Sequence, residues 1–509
     1  MTFKTDYLKE NNLVFGDMRE EKDQRIGLER FGPFRYPSEK GPLGSIKLGI
    51  IGNKQTIEKS KDLIEFIADP IDSPKENKWL FPPFPGISKN TKFDCNIEIS
   101  NSWQETILQS DINKILKIID VNERIGAAVN LYLTKIENLA KDDNPPDVVL
   151  CSLPQEIEDY CGISTHTREA KTLKPTELEK KILEARTNQR FLTEWGASLE
   201  LRKEKKPRGF DFRSALKGKA MAVEPARPIQ LLRETTIDSI LKYQVGGENQ
   251  KQDPASFAWN FSTALLYKAN IKLWRPAKLR QDTCFVGISF YRDKFSYNKN
   301  IQTAMAQIFT HDGQGLVLKG TEVYIDEKTK EPHLSQKQAE ELLLKAIKEY
   351  KDKANRSPGR VVIHKSTLFT AAEMDGFNAA IGNLKKDFVT ISRRNKGIRF
   401  LRTGSYPVLR GTLITLTDKE FILYTSGYTP RLRSYPGHSI PNPLFITHIG
   451  DTETKEVCGE ILDLTRLNWN TTAFATFMPI TLAFASKVGE ILSEANKDLP
   501  LQPHYRFYM

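Results

Sequence analysis

The side chains best placed to do chemistry begin with two cations four residues apart. Arg213 and Lys217 lie in Phe212-Arg-Ser-Ala-Leu-Lys-Gly-Lys219, and on a helix that spacing puts both on one face. Pro228 and the apolar Ile229, Leu231 and Leu232 then read as a short buried strand carrying Gln230. Trp259-Asn-Phe-Ser-Thr-Ala-Leu-Leu-Tyr-Lys268 reads as an amphipathic helix ending in Lys268. Cations and an amide brought to one point make an anion pocket suited to a phosphate monoester. Arginines and lysines on helix faces are ordinarily solvated. The pocket therefore requires a fold that brings three separate segments together.

The neighbouring pattern supplies such a fold. Val148-Val-Leu-Cys-Ser-Leu153 is a continuous apolar run behind Asn144-Pro-Pro146, the mark of a strand buried on both faces of a parallel sheet. Residues 46–51 form a second strand, Gly52-Asn53 a turn and residues 56–67 a helix with one apolar side. Residues 93–99 alternate as a strand, and residues 112–140 read as one long helix. Open α/β sheets place their ligand crevice at the carboxyl ends of the strands. Pro154 onwards and the basic segment 202–213 fall there. Residues 1–45 read as loop, with turn signals at Phe31-Gly-Pro-Phe34 and Gly41-Pro-Leu-Gly44.

Beyond Trp274-Arg-Pro-Ala277, which reads as a junction, strands are expected at 283–291, 304–310 and 315–319, around the turn His311-Asp-Gly313. A helix over 335–353 and a buried strand at 360–364 follow, then strands at 388–391, 407–409, 412–416 and 421–425 and a closing helix over 480–492. Consecutive strands, a helix and a further strand match a ribonuclease-H-like mixed sheet.

The bulk numbers set limits. A chain of 509 residues exceeds one hydrophobic core. Its 75 Lys and Arg against 64 Asp and Glu leave a net +11, which favours a polyanionic partner, nucleic acid before membrane. The five cysteines, Cys95, Cys151, Cys161, Cys284 and Cys458, form no Cys-x-x-Cys and have no His at ligand spacing. Buried thiols in a reducing cytoplasm are expected, and no zinc site. The first residues carry no apolar core of signal-peptide length, and no window approaches a membrane span.

In this order the motifs resemble the short prokaryotic Argonautes, which carry only MID and PIWI domains. The resemblance rests on Gly27-Leu-Glu-Arg-Phe-Gly-Pro33, Val148-Val-Leu-Cys-Ser-Leu-Pro154, Pro228-Ile-Gln230 with Arg233-Glu234, and Tyr267-Lys-Ala269 with Trp274. Pro441-Asn-Pro-Leu-Phe445, Leu464-Thr-Arg-Leu-Asn-Trp-Asn470, Pro479-Ile-Thr-Leu482 and Lys487-Val-Gly-Glu-Ile-Leu492 complete it. It implies an α/β protein, with a Rossmann-like MID domain over 1–280, including the linker-like start, and a ribonuclease-H-like PIWI domain over 281–509.

In that family the MID pocket grips the 5′-phosphate of a guide strand through an aromatic or histidine, a lysine four residues on, a glutamine and a second lysine. The resemblance assigns these roles to Arg213, Lys217, Gln230 and Lys268. Arg213 departs from the usual ring, though a guanidinium plane can stack on a base and pair with phosphate. The family also sets its C-terminal carboxylate, here that of Met509, beside the guide phosphate with a bridging Mg²⁺.

Slicing members hold two Mg²⁺ with acidic residues. The positions implied here carry Ser289, Ser366 and Ser486, whose neutral hydroxyls cannot replace carboxylate charge. No slicing is expected from this chain. The basic run with Arg393, Arg394, Arg399 and Arg402, together with Arg410, Arg431 and Arg433, is expected to line a guide–target channel. The resemblance further implies a cytoplasmic guide-RNA-binding sensor that recognises invader single-stranded DNA. Its partner is an effector with an Argonaute-associated PAZ-like (APAZ) segment and a TIR, Sir2-like or nuclease domain. Target pairing activates that effector, with a higher-order oligomer and abortive infection as the outcome. One alternative is an active nuclease with other metal ligands, His364 or His438 among them. Another is a plain nucleotide-binding protein, for which no Gly-rich phosphate loop is present.

Overall fold

The structure is a computed structural model, described for residues 3–39, 41, 43–161, 211–244, 253–292, 302–310, 315–327, 330–393, 398–404, 407–437, 439–494 and 502–509. Two sheets organise it. The first is parallel: β5 (Cys95–Glu98), β4 (Gly44–Gly52), β7 (Val148–Leu153) and β8 (Ile229–Arg233) lie in that order, and β6 (Gln104–Thr106) also pairs with β4. Every residue of β7 is buried, as its unbroken apolar run requires of a central strand covered on both faces. The helix Lys54–Ala68 starts at an N-cap, Asn53, whose side chain accepts from the Thr56 amide.

The second sheet has ten strands. At its centre β10 (Thr283–Arg292), β14 (Arg360–Lys365) and β15 (Lys385–Ser392) run parallel. On one side of β10 lie β11 (Gln302–Phe309), β12 (Gly315–Ile325) and β13 (Pro332–His333), all antiparallel. On the far side β15 is followed by β18 (Leu444–Gly450), β17 (Glu420–Leu423), β16 (Thr412–Thr415) and β1 (Lys4–Tyr7). The run β12-β11-β10-β14-β15 is the mixed sheet expected of a ribonuclease-H-like unit. The helices Gln336–Ala354 and Ala371–Ile381, each opened by a capping box, cover one face of it with a separate apolar core.

Several expectations change. Residues 1–45 are not a loop. They contain β1, paired across the chain with β16; β2 (Leu13–Val14), paired with β3 (Glu20–Glu21) and β9 (Arg275–Pro276); and a helix, Gln24–Phe31. Elements this short are defined by distant partners, and so the first strand belongs with the second sheet, outside the expected 1–280 unit. The single helix over 112–140 is two, Gln109–Leu116 and Val121–Ala140. Asp120 caps the second through the Glu123 amide, and the buried Arg124 guanidinium donates to the Ile118 carbonyl inside the break at 2.8 Å. The closing helix is likewise divided, into Ile480–Ala483 and Ala485–Glu494. Residues 407–409 form only a bridge, Leu409 to Tyr428, and the turn at 311–313 lies outside the described residues. All five cysteines are buried and unpaired. No helix among the described residues is long and apolar enough to cross a membrane.

Candidate functional site

The helix Phe212–Ala220 begins at Asp211, whose carboxylate accepts from the Ser214 amide at 3.0 Å and the Ser214 hydroxyl at 2.6 Å. That cap fixes the first turn and with it Arg213 and, one turn on, Lys217. Arg213 is half-buried, whereas Lys217 is 3% exposed. A second helix, Pro254–Lys268, starts with Pro254 at its first turn behind the Asp253 cap and is buried along most of its length. It delivers Lys268, 1% exposed, at its last turn. There the Lys268 ammonium donates to Oε1 of Gln230, projected by β8. The three segments singled out by the sequence thus meet at one point.

Electrostatics show how close the meeting is. Burial, then Arg213, Lys268 and Lys487, push the Lys217 ammonium well below its ordinary range. Burial and Arg213 bring Lys268 down to about 7. Among the described residues no carboxylate pairs with Lys217 or Lys268. The fourth cation, Lys487, was not assigned to the site from sequence. It comes from the helix Ala485–Glu494 of the second unit, which packs on Phe212–Ala220. Lys487 is lowered in turn by partial desolvation and by Arg213. Only the packing of one unit on the other makes it a neighbour, so no local signal marks it.

The C-terminal segment closes against the same place. Tyr505–Phe507 form a 3-10 turn, Arg506 donates to the Lys268 carbonyl at 3.4 Å, and Arg213 acts on the buried Tyr505 hydroxyl. The Met509 side chain is buried, 2% exposed. As ligands for a divalent ion the pocket side chains do not fit. Four are cations, and the one neutral oxygen, Gln230 Oε1, already accepts from Lys268. The terminal carboxylate would be the sole anionic ligand.

Two of the three serines fall side by side in the second sheet. The β10–β14 register pairs Ile288 with Lys365, which puts Ser289 and Ser366 next to each other where the parallel pairing of the two strands ends. Ser289 is buried with its Oγ lacking a partner, and Ser366 is exposed. Ser486 lies in Ala485–Glu494, whose side chain there is not described; that helix packs on β10 so closely that a Cβ on Gly489 would come within 2.5 Å of the Tyr291 Cβ. His364 is buried in β14, its Nδ1 2.8 Å from the Thr481 hydroxyl, and burial with Arg360 lowers it to about 3. Of the acids near these serines in sequence, Asp375 is exposed and Asp293 lies outside the described residues, as does His438. Among the described residues no group of three or more His, Cys, Asp and Glu is placed to hold a metal. Beside the serines, on the opposite face of β14, Lys365 is buried on the Glu373 carboxylate at 2.5 and 2.6 Å.

The basic run is divided. Arg393 and Arg399 are exposed, Arg393 lying 5.6 Å from the Phe477 ring and half-buried Arg402 5.9 Å from that of Tyr428; Arg394 lies outside the described residues. Arg410 corrects the expectation. It is 3% exposed, its Nε is 2.6 Å from Glu10, and its remaining donors go to the Thr425 and Leu462 carbonyls and the Thr465 hydroxyl, so it ties elements together and is closed to nucleic acid. Arg431 and Arg433 lie 5.2 and 4.9 Å from the Trp79 ring, and Arg431 also pairs with Glu21 at 3.1 Å.

A parallel α/β unit beside a ribonuclease-H-like unit, with a cationic socket formed where they meet, defines the class. No family model matches the chain, and no curated protein does. Among solved structures it is similar to the Clostridium butyricum Argonaute bound to a guide DNA and a 19-mer target DNA, at 17% identity and a TM-score of 0.61, covering 98% of this chain and 54% of that one. It is also similar to the A. aeolicus Argonaute (14%, TM-score 0.53, 99% and 56%) and to the Marinitoga piezophila Argonaute in complex with a 5′-OH guide RNA (12%, TM-score 0.53, 97% and 60%). The chain therefore has an Argonaute-like fold, MID-like and then PIWI-like, and it spans little more than half the length of those proteins.

Proposed function

We propose that this chain anchors the 5′-phosphate of a guide strand in the socket of Arg213, Lys217, Gln230, Lys268 and Lys487, and presents that guide to a complementary target. The observation that carries the reading is the pair of buried lysines with no carboxylate partner among the described residues. A buried charge without a counterion costs several kcal/mol, of order 3–5. A phosphate dianion supplies what the socket lacks, through charge-assisted hydrogen bonds worth roughly 1.5–3 kcal/mol each. Binding of one RNA sequence in 5′-phosphorylated and 5′-hydroxyl forms is the test. The phosphorylated form should bind at least about tenfold tighter; equal binding contradicts the reading.

The finer parts of the reading rest on the family resemblance together with this geometry. The guide is RNA and the target single-stranded invader DNA. The serines at 289, 366 and 486 make the chain a sensor rather than a slicer, so purified protein with guide and matched target leaves the target intact in Mg²⁺ or Mn²⁺. Cleavage there would establish the competing reading, a nuclease with other ligands. The output passes to an APAZ-containing effector of TIR, Sir2-like or nuclease type, whose activation ends in abortive infection. Because the socket is already rich in cations, Mg²⁺ at the Met509 carboxylate is secondary: chelation should weaken binding less than Lys217→Met does.

A further inference from the structure

A second cavity lies against the same helix end that carries Lys268. It encloses about 410 Å³, within the size range of small-molecule sites. Residues of the N-terminal segment, the end of the helix Pro254–Lys268 and the chain that follows it to Trp274, Lys353, Trp469 and the C-terminal segment line it. The cavity thus forms only where both units meet, as binding sites commonly do.

Its chemistry is of two kinds. The Tyr267 ring stacks on the indole of Trp469, centroids 4.4 Å apart and planes within 3°. Trp469 is 1% exposed and Tyr267 partly exposed, so Tyr267 offers the cavity an aromatic surface backed by a buried ring. Around it stand Arg35, Lys272, Lys353 and Arg506 with Glu39; Arg35 is also paired with Asp94 at 2.9 Å, and the Lys272 ammonium lies 4.4 Å from the Tyr36 ring. The buried Nε of Arg506 has no hydrogen-bond partner, and His504 is kept neutral by burial and by Lys353, held at about 4. An aromatic platform beside surplus cations recognises a flat ring carrying phosphate: the ring extends the stack and the phosphate meets the cations.

We propose that this interdomain cavity is a second binding site, separate from the socket, that takes a free nucleoside phosphate. Tyr267 immediately precedes Lys268, and Arg506 donates to the Lys268 carbonyl. Ligand held by Tyr267 and Arg506 therefore bears on the turn that positions Lys268, and coupling between the two sites must be reciprocal. That coupling rests on the guide-anchoring reading; the cavity itself does not.

The test titrates the full chain with ATP, AMP and adenosine, following the fluorescence of the lining residues Trp274 and Trp469. ATP and AMP should give saturable changes, and adenosine should bind at least about tenfold more weakly for want of phosphate. Lys272→Glu, at a partly exposed position, should weaken ATP by a similar factor, with thermal unfolding of the variant measured alongside. Lys217→Met should leave ATP binding unchanged while abolishing preference for 5′-phosphorylated RNA. No ATP binding to the unaltered chain overturns the proposal. Loss of ATP binding in Lys217→Met overturns it as well, by placing the nucleotide in the socket. ATP binding with no RNA defect in Lys217→Met contradicts the guide-anchoring reading alone, whereas an RNA defect in a chain that binds no ATP contradicts the cavity alone.

Discussion

Two buried groups of cations in this molecule are built in opposite ways. Arg360, 0% exposed, is met by Asp387 at 2.7 Å and by both oxygens of Glu460 at 2.6 and 3.0 Å. Asp387 also accepts from Thr452 at 2.8 Å and contacts His448 at 2.8 Å. Burial opposes its ionisation, yet His448 and Arg360 hold its carboxyl down at about 2. The socket has the reverse arrangement: Lys217 and Lys268 are equally buried, and the charges acting most strongly on Lys217 are cations. The first group is complete in the folded chain and serves the fold. The second has no carboxylate partner among the described residues, the gap that the proposed guide phosphate would fill.

The largest effect should come from cutting the complete group. Arg360→Met strands two buried carboxylates and should lower the free energy of unfolding by about 3–5 kcal/mol in urea titration. Lys217→Met should act with the opposite sign. It removes a buried amine that the fold drives off its ordinary protonated form, at similar volume, so the unliganded chain should gain about 1–2 kcal/mol. Equal destabilisation by both changes would erase the contrast.

Next in size is the pH dependence of the socket. Lys268 titrates at about 7 in the fold and near 10.4 when unfolded. Between those values the unfolded chain holds the extra proton, so this residue makes stability rise with pH across that window. Phosphate restores the proton, so affinity for 5′-phosphorylated RNA should fall above pH 7 by up to about tenfold per pH unit for each proton taken up. The comparison is with Lys268→Met, in which that slope shrinks; an unchanged slope assigns the protons elsewhere. The smallest effects belong to the rim. Arg399→Ala and Arg402→Ala should each reduce the log–log salt dependence of single-strand binding by about 0.7, whereas Arg410→Ala should be read out as lost stability.

Much of the socket was legible because each of its first four residues sits on an element with a strong local signature. Arg213 and Lys217 follow the Asp211 cap, Gln230 lies in a short apolar strand, and Lys268 ends a helix opened by Asp253 and Pro254. Lys487 was hidden because its place depends on one unit packing against the other. The same cause hid the N-terminal strands: four residues of β1 carry no usable alternation, and their partner, β16, is some four hundred residues away. Arg410 misled for a related reason. A basic run looks solvated until Glu10, from the far end of the chain, is found against it. The break between Gln109–Leu116 and Val121–Ala140 left only one mark in the sequence, the capping Asp120.

One paired measurement bears most directly on the account. The unaltered chain and Lys217→Met are each unfolded in urea and each titrated with 5′-phosphorylated and 5′-hydroxyl RNA of one sequence. The substitution should stabilise the unliganded protein and remove the preference for phosphate. A destabilised variant that still prefers the phosphorylated strand would contradict it.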